Sequence, residues 1–155
     1  MPPRVIASLD SLKELVGQEI GCSEWFVVTQ DRIQRFAEVT EDGQWIHLDR
    51  KRAQRESPYG TTIAHGFLTL SLISFLARQA IEIRTGVRMT VNYGLNRVRF
   101  PAPVRMDSRV RARFTLAALK EIPGALEAAF SVSVEGERTE KPCCAAEWIV
   151  RYCRE

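Results

Sequence analysis

The sequence contains few of the residues that bind metals or carry redox chemistry. Among 155 residues there are two histidines and four cysteines, and no two cysteines form a C-x-x-C pair. The adjacent Cys143 and Cys144 suit neither a disulfide framework nor a zinc site. We therefore expect reduced thiols without a redox role, and no metal centre.

Long apolar runs are absent as well. The first residues do not form the roughly 7–15-residue apolar stretch of a signal peptide, which predicts a cytoplasmic location. The most apolar segment, residues 63–77, contains four polar side chains and is shorter than the ~20 residues that span a bilayer. We expect a buried helix there and no membrane span.

Charge is mild and dispersed along the chain. The 22 Lys and Arg residues against 19 Asp and Glu give a net charge of +3, and no block of basic side chains indicates a nucleic-acid partner. Repeats and low-complexity tracts are also missing. The length predicts a single globular domain, residues 1–155, with a sizeable core.

The first half of the chain has helical periodicity. Leucines at helical spacing before Gly17 predict a short opening helix. Residues 25–28 predict a strand, and Thr29 can cap a helix that ends at the Asp42-Gly43 turn. A charged loop then leads to a long helix from Ile63 to about Arg84, which is apolar on most faces and must be wrapped by other structure.

From Val87 onward the apolar residues alternate with period two, which predicts strands. The phase changes beside Gly94 and Asn96, as a bulge or bend requires. Further alternation over 110–118, 126–134 and 146–152 predicts three more strands. The fold class is therefore α+β, with a long central helix wrapped by a curved antiparallel sheet.

Both histidines lie in the part of the chain that is richest in unusual polar residues. A carboxylate just past a helix end, Asp42, and His47 five residues later can converge across a tight turn and hold one water. Adding water to an α,β-unsaturated thioester needs one base and one acid. From the spacing alone, an ordinary Asp-Gly turn beside a solvated histidine is an equal alternative.

His65 and Gly66 stand at the predicted start of the buried helix. The first backbone N–H groups of a helix lack intrahelical partners, and the dipole there is positive. The Gly66 N–H is therefore a candidate oxyanion donor for a thioester carbonyl. The alternative is that Gly66 only eases helix entry or close packing.

Three segments in this order resemble the MaoC-like (R)-specific enoyl-CoA hydratase family. They are residues 36–49, with Thr-Glu-Asp-Gly-Gln-Trp-Ile-His at 40–47, residues 63–68, Ile-Ala-His-Gly-Phe-Leu, and residues 91–104, which begin Val-Asn-Tyr-Gly-Leu-Asn-Arg-Val-Arg-Phe. The resemblance covers nearly the whole chain. It departs from the usual Gly-Asp-x-Asn-Pro-x-His pattern at Glu41, Gln44 and Trp45.

The resemblance implies a hot-dog fold that pairs into a homodimer, with 2-enoyl substrates linked to CoA or to a carrier protein. It implies a catalytic Asp42 and His47 and an oxyanion donor at Gly66, and it brings no cofactor. We place Gln44 and His65 with the substrate-binding residues, Gln44 because its amide can orient the active-site groups.

We expect the acyl chain to lie along the helix side that carries Gly66. Leu70, Ser74 and Ala77 follow on that side at spacings near four, although ordinary core packing explains them too. Acyl length and the pathway served, whether fatty-acid metabolism, polyhydroxyalkanoate precursor supply or lipid-signal synthesis, stay open. Two other functions stay open as well, a thioesterase on the same fold and a non-catalytic acyl-thioester-binding subunit.

Overall fold

The computed structural model describes residues 1–155, and its body is an antiparallel sheet. In chain order the strands are β1 (Arg4–Ile6), β2 (Glu19–Cys22), β3 (Phe26–Val28), β4 (Ile81–Ile83), β5 (Val87–Arg99), β6 (Ser108–Ile122), β7 (Ala125–Gly136) and β8 (Cys144–Arg154). The main sheet has the order β2-β6-β7-β8-β5, and β3 also pairs with β6. The four long strands are those that the alternation predicts.

The predicted bend in β5 is confirmed. The register between β5 and β8 shifts between Asn92 and Gly94, and again between Asn96 and Arg99. Arg97, inside the second irregularity, has a positive φ of 51°. The phase change in the sequence therefore marks a real irregularity in the strand, as a bulge produces.

Five α-helices lie between β3 and β4 in the chain. They are α1 (Gln30–Thr40), α2 (Trp45–Leu48), α3 (Arg50–Glu56), α4 (Gly66–Ser71) and α5 (Ile73–Ala80), and the opening helix over Leu9–Leu15 is of the 3-10 type. The side chain of Thr29 accepts a hydrogen bond from the Arg32 N–H, so the predicted cap of α1 is confirmed. Two short helices, α2 and α3, occupy the segment predicted as a loop.

The prediction of a single long helix from Ile63 to Arg84 is wrong. The helical segment starts at Gly66, is interrupted at Leu72 and ends at Ala80. Ser71 Oγ donates to the Leu68 carbonyl at 2.7 Å. A serine hydroxyl that bonds a nearby backbone carbonyl competes with the backbone hydrogen bonds of the helix and weakens the helix there. Residues 81–83 form β4 instead, because β-branched isoleucines favour a strand and β1 offers a parallel partner.

The core lies between the helices and the inner face of the sheet. It is one cluster of 28 buried residues, and Val110, Ala112, Phe114 and Leu116 of β6 are fully enclosed in it. The helix is not wrapped on every side, since Phe67 is 69% exposed. No helix in the structure has the length and apolar character needed to cross a bilayer.

Apolar side chains remain exposed on the edge strand β5 and beside it. We call this set the β5 surface, and its members are Phe67, Met89, Val91, Tyr93, Leu95 and Phe100. β5 is the last strand of the sheet, so one edge of its backbone has no partner. An exposed edge with apolar side chains is a surface that proteins normally cover.

Glu41 ends α1 in a left-handed conformation, with φ 60° and ψ 19°. This conformation costs a non-glycine residue roughly 1 kcal/mol, whereas glycine adopts it freely. We expect Glu41→Gly to raise the free energy of unfolding by roughly 1 kcal/mol, measured by urea unfolding at fixed protein concentration. Glu38→Gly, inside the same helix, is the control and should lower it by about 1 kcal/mol. Equal destabilisation by both variants would contradict the strain at Glu41.

Candidate active site

Asp42, His47 and His65 meet at one point of the structure. One side-chain ligand atom from each lies within 4.8 Å of the others. Asp42 follows the left-handed end of α1, His47 lies in α2, and His65 is the residue before α4. Three separate elements therefore bring the carboxylate and both imidazoles together.

His47 has one ring nitrogen committed and one free. The residue is 6% exposed, and its Nδ1 lies 2.7 Å from the carbonyl oxygen of Ile63. A carbonyl can only accept, so Nδ1 carries the proton and donates. Nε2 is then left unprotonated in the neutral ring and available to take a proton.

Burial keeps the His47 ring neutral. Loss of solvation lowers the pKa of His47 below its ordinary 6.5, and the nearby His65 adds to this. The Ile63 carbonyl and the Asp42 carboxylate act in the opposite direction but do not reverse the shift. A neutral imidazole at pH 7 is the state that a base requires.

The lowered pKa predicts the acid side of the pH profile. Because the pKa of His47 lies below 6.5, the decline of kcat/KM that accompanies protonation of the ring should have its midpoint below pH 6.5. NMR titration of the imidazoles checks the assignment directly, because the chain has two histidines and a His65→Asn sample identifies the signal of His47. A midpoint for His47 above 6.5 would contradict the burial argument.

Asp42 is held through its backbone while its carboxylate remains accessible. The side chain is 51% exposed, with Oδ2 at 4.0 Å from His65 Nε2. The Asp42 carbonyl oxygen accepts a hydrogen bond from the same Nε2 at 2.9 Å. Glu41 is exposed beside it, so its carboxylate faces solvent rather than the site.

His65, predicted as a substrate-binding residue, is almost fully buried behind the other two polar groups. It is 2% exposed, its ring stacks on that of His47 with centroids 3.7 Å apart, and Phe36 lies on it at 5.0 Å. Its Nε2 donates to the Asp42 carbonyl, and its Nδ1 is enclosed without a partner. The residue supports Asp42 and His47 from behind.

The structure does not place the Gln44 amide on the active-site groups. Gln44 is exposed, and its side chain caps nothing. The amide that contacts an active-site residue belongs to Gln30, whose Nε2 donates to the His47 carbonyl oxygen at 2.8 Å. Thr62 Oγ1 in turn donates to Gln30 Oε1. Sequence reasoning missed Gln30, because it lies 17 residues before His47 at the start of α1.

Gly66 is the first residue of α4, and its N–H has no acceptor within the helix. No other backbone group accepts from it. A Cβ at this position would lie 2.9 Å from the Phe100 ring, so the close-packing explanation for this glycine is also met. The structure is therefore compatible with both explanations of Gly66, an available N–H donor and close packing against Phe100.

The same three side chains form a poor metal site. His47 Nδ1 and His65 Nε2 already face carbonyl oxygens. The two rings are stacked with an interplanar angle of 23°, so their lone pairs run side by side instead of converging on one ion. A tetrahedral ligand set needs convergent lone pairs.

Two adjoining cavities run along the exposed side of the helical segment, away from the three polar residues. The proximal cavity, about 330 Å³, extends from Phe67 to Ser74 and faces β5 at 93–95. The distal cavity, about 360 Å³, continues from Ser74 to Ile83 and ends at Tyr152. Three residues are predicted to contact the acyl chain. Leu70 lines the proximal cavity, Ala77 lines the distal cavity, and Ser74 lines both.

Comparison with known proteins decides the family. Residues 11–135 match the family model described as MaoC like domain. The chain belongs to this family. A 3-hydroxyacyl-thioester dehydratase Z of Mycobacterium tuberculosis is 46% identical over 150 residues, covering 96% of this chain and 98% of the relative. Nodulation protein N of Rhizobium meliloti is 45% identical over 143 residues, covering 92% and 89%.

Solved structures of the MaoC-like family have the same fold. The unliganded R-hydratase PhaJ1 from Pseudomonas aeruginosa superimposes with a TM-score of 0.67 at 23% identity, covering 90% of this chain and 83% of that one. The hot-dog fold implied by the sequence is thereby confirmed. In this MaoC-like domain Asp42 and His47 lie on the α1–α2 segment, ahead of the helical segment formed by α4 and α5.

The three departures from the usual MaoC-like pattern have local consequences. Glu41 stands in a left-handed position, which explains why the pattern has glycine there. Gln44 precedes α2 as its cap residue. Trp45 begins α2, and the Arg52 guanidinium of α3 lies 4.2 Å from the centre of its ring. None of the three changes displaces Asp42 or His47 from the cluster.

Proposed function

We propose that this chain hydrates trans-2-enoyl thioesters, linked to CoA or a carrier protein, to (R)-3-hydroxyacyl thioesters and catalyses the reverse dehydration. The observation that carries the proposal is the accessible Asp42 carboxylate beside a buried histidine whose Nε2 is free. The relatives named as a dehydratase and an R-hydratase support the reaction class and the configuration.

Asp42 and His47 act on one water molecule. Their ligand atoms lie close enough for a single water to hydrogen-bond both. The base removes a proton as the water oxygen bonds to Cβ of the enoyl group, and the electrons of the double bond move toward the thioester carbonyl. A proton delivered to Cα completes the addition, so that H and OH both come from the water.

The Gly66 N–H stabilises the negative charge that develops on the thioester oxygen. It is unpaired, lies at a helix start, and follows His65, which contacts both Asp42 and His47. One such donor is worth about 2.7–4 kcal/mol in other enzymes. The acyl chain then follows Leu70, Ser74 and Ala77 along the two cavities.

Loss of enoyl absorbance with crotonyl-CoA tests the reaction, and chiral separation of the product tests the configuration. We expect turnover to (R)-3-hydroxybutyryl-CoA without release of free CoA. Thiol release would indicate a thioesterase. Binding of the substrate without conversion would indicate a non-catalytic subunit, and either result would overturn the proposal.

The β5 surface supports a homodimer. β5 is a 13-residue strand with an open backbone edge and exposed apolar side chains. Pairing of two copies about a two-fold axis would satisfy the backbone of both edges at once. Residues of β5 also line both cavities, so the second copy would cover their open side.

Charge on the β5 surface should dissociate the dimer. We expect light scattering to give twice the mass of 17.6 kDa for the wild type and the single mass for the double variant Val91→Arg, Leu95→Arg, because burying two arginines in an apolar contact is costly. Val39→Arg is the control, since Val39 is exposed on α1 away from β5. A monomeric wild type, or dissociation by the control alone, would contradict the assignment.

A further inference from the structure

The distal cavity has polar groups that a hydrocarbon chain cannot satisfy. It is lined by apolar residues of α5, β4 and the sheet, but also by polar residues, which are Ser74, Arg78, Thr90, Asn92 and Tyr152. Thr90 and Tyr152 are paired across β5 and β8, so both belong to the same end of the cavity. A slot for an unsubstituted alkyl chain would need only apolar walls.

Tyr152 is the clearest of these groups. The residue is 9% exposed and lines the cavity. Burial alone raises the pKa of Tyr152, with no hydrogen bond contributing. Its oxygen is not among the fully enclosed unpartnered atoms, which are His65 Nδ1 and Gln79 Oε1. The phenol is therefore a buried hydroxyl that reaches the cavity without a partner, and buried tyrosine hydroxyls usually have one.

Ser74 and Asn92 satisfy each other between the two cavities. Trp148 Nε1 donates to Asn92 Oδ1 at 3.1 Å, which fixes the amide orientation because an indole N–H cannot accept. Asn92 Nδ2 then donates to Ser74 Oγ at 3.2 Å. Ser74 Oγ also lies 3.3 Å from Asn92 Oδ1, to which its hydroxyl donates. Ser74 is therefore satisfied within the protein, and Tyr152 supplies the buried hydroxyl without a partner at the distal cavity.

We infer that the distal cavity binds the far end of an acyl chain that carries an oxygen substituent, a hydroxyl or a carbonyl, as its hydrogen-bonding group. The inference rests on the proposed function and specifies its substrate class. Ser74 lies eight residues beyond Gly66, roughly 12 Å along the helical segment. Only a medium or long chain, held by its thioester at Gly66, brings such an oxygen to Tyr152.

Matched pairs of substrates test the inference. The probes are trans-2-enoyl-CoAs from hexenoyl to tetradecenoyl, each with its ω-hydroxy counterpart, assayed as kcat/KM. At the lengths that reach the distal cavity we expect the hydroxylated chain to be preferred by about 3- to 10-fold, the value of one buried hydrogen bond. Tyr152→Phe should remove the preference, so that the ratio of kcat/KM between the hydroxylated and the plain chain falls to about one. Tyr59→Phe, on an exposed loop tyrosine, should keep the preference.

Binding separates failure of this inference from failure of the proposed function. Saturated acyl-CoA and ω-hydroxyacyl-CoA cannot be hydrated, so calorimetry gives their Kd ratio whether or not the chain is a hydratase. A ratio that favours the hydroxylated ligand and is lost in Tyr152→Phe supports the inference. Equal Kd values at every length, or a preference that survives in Tyr152→Phe, would overturn it.

Discussion

Asp42→Asn should lower kcat/KM for crotonyl-CoA by about 10²- to 10⁴-fold, the range that positioned acid and base groups contribute. Asparagine keeps the size of the side chain and a hydrogen-bonding oxygen but cannot take up a proton. The fold should be unaffected, because the only hydrogen bond that His65 makes to Asp42 is to its backbone carbonyl, and the side chain is half exposed. Steady-state kinetics and a thermal melt on the same sample separate the two effects.

Glu41→Gln is the matched control for the charge. It removes a carboxylate from the adjacent residue, which is exposed and outside the cluster of Asp42, His47 and His65. We expect its kcat/KM to stay within about twofold of wild type, as for a screened surface charge. An equal loss in both variants would mean that net charge near the site matters and that Asp42 has no chemical role.

The sheet could be predicted because its signal is local. Each long strand alternates apolar and polar residues over its own length, and even the irregularity beside Gly94 appears as a change of phase. β1 and β4 could not be predicted in this way, since three residues each carry no periodicity. They form a strand pair only because two segments that are far apart in the sequence meet in the fold. The same pairing explains why the helical segment ends at Ala80, earlier than predicted.

The candidate site was predictable only in part for the same reason. Asp42 and His47 are five residues apart, so a tight turn can join them, and the resemblance to the MaoC-like family marks them. His65 stacks on His47 although it lies 18 residues further along the chain, and Gln30 contacts His47 from α1. Both contacts depend on how α1, α2 and α4 pack. The amide of Gln44 is the one that the sequence indicates, yet the amide that contacts His47 belongs to Gln30 of α1.

His47→Asn should cause a loss of activity similar to that of Asp42→Asn, about 10²- to 10⁴-fold in kcat/KM. The amide nitrogen of asparagine can replace Nδ1 as donor to the Ile63 carbonyl, while the basic Nε2 disappears. His47→Ala removes both, so it should also be less stable than His47→Asn by about 1 kcal/mol, because a buried carbonyl loses its partner. An asparagine variant that keeps wild-type activity would show that His47 serves only the fold.

The double variant Asp42→Asn, His47→Asn decides whether the two groups work on one water. If both act in a single proton transfer, removing the second group costs little once the first is gone, as for catalytic groups that function as a unit. We therefore expect the double variant to be about as slow as the slower single variant. Losses that multiply would indicate two independent roles. Glu41→Gln combined with His47→Asn is the control, and it should equal His47→Asn alone because Glu41 lies outside the cluster.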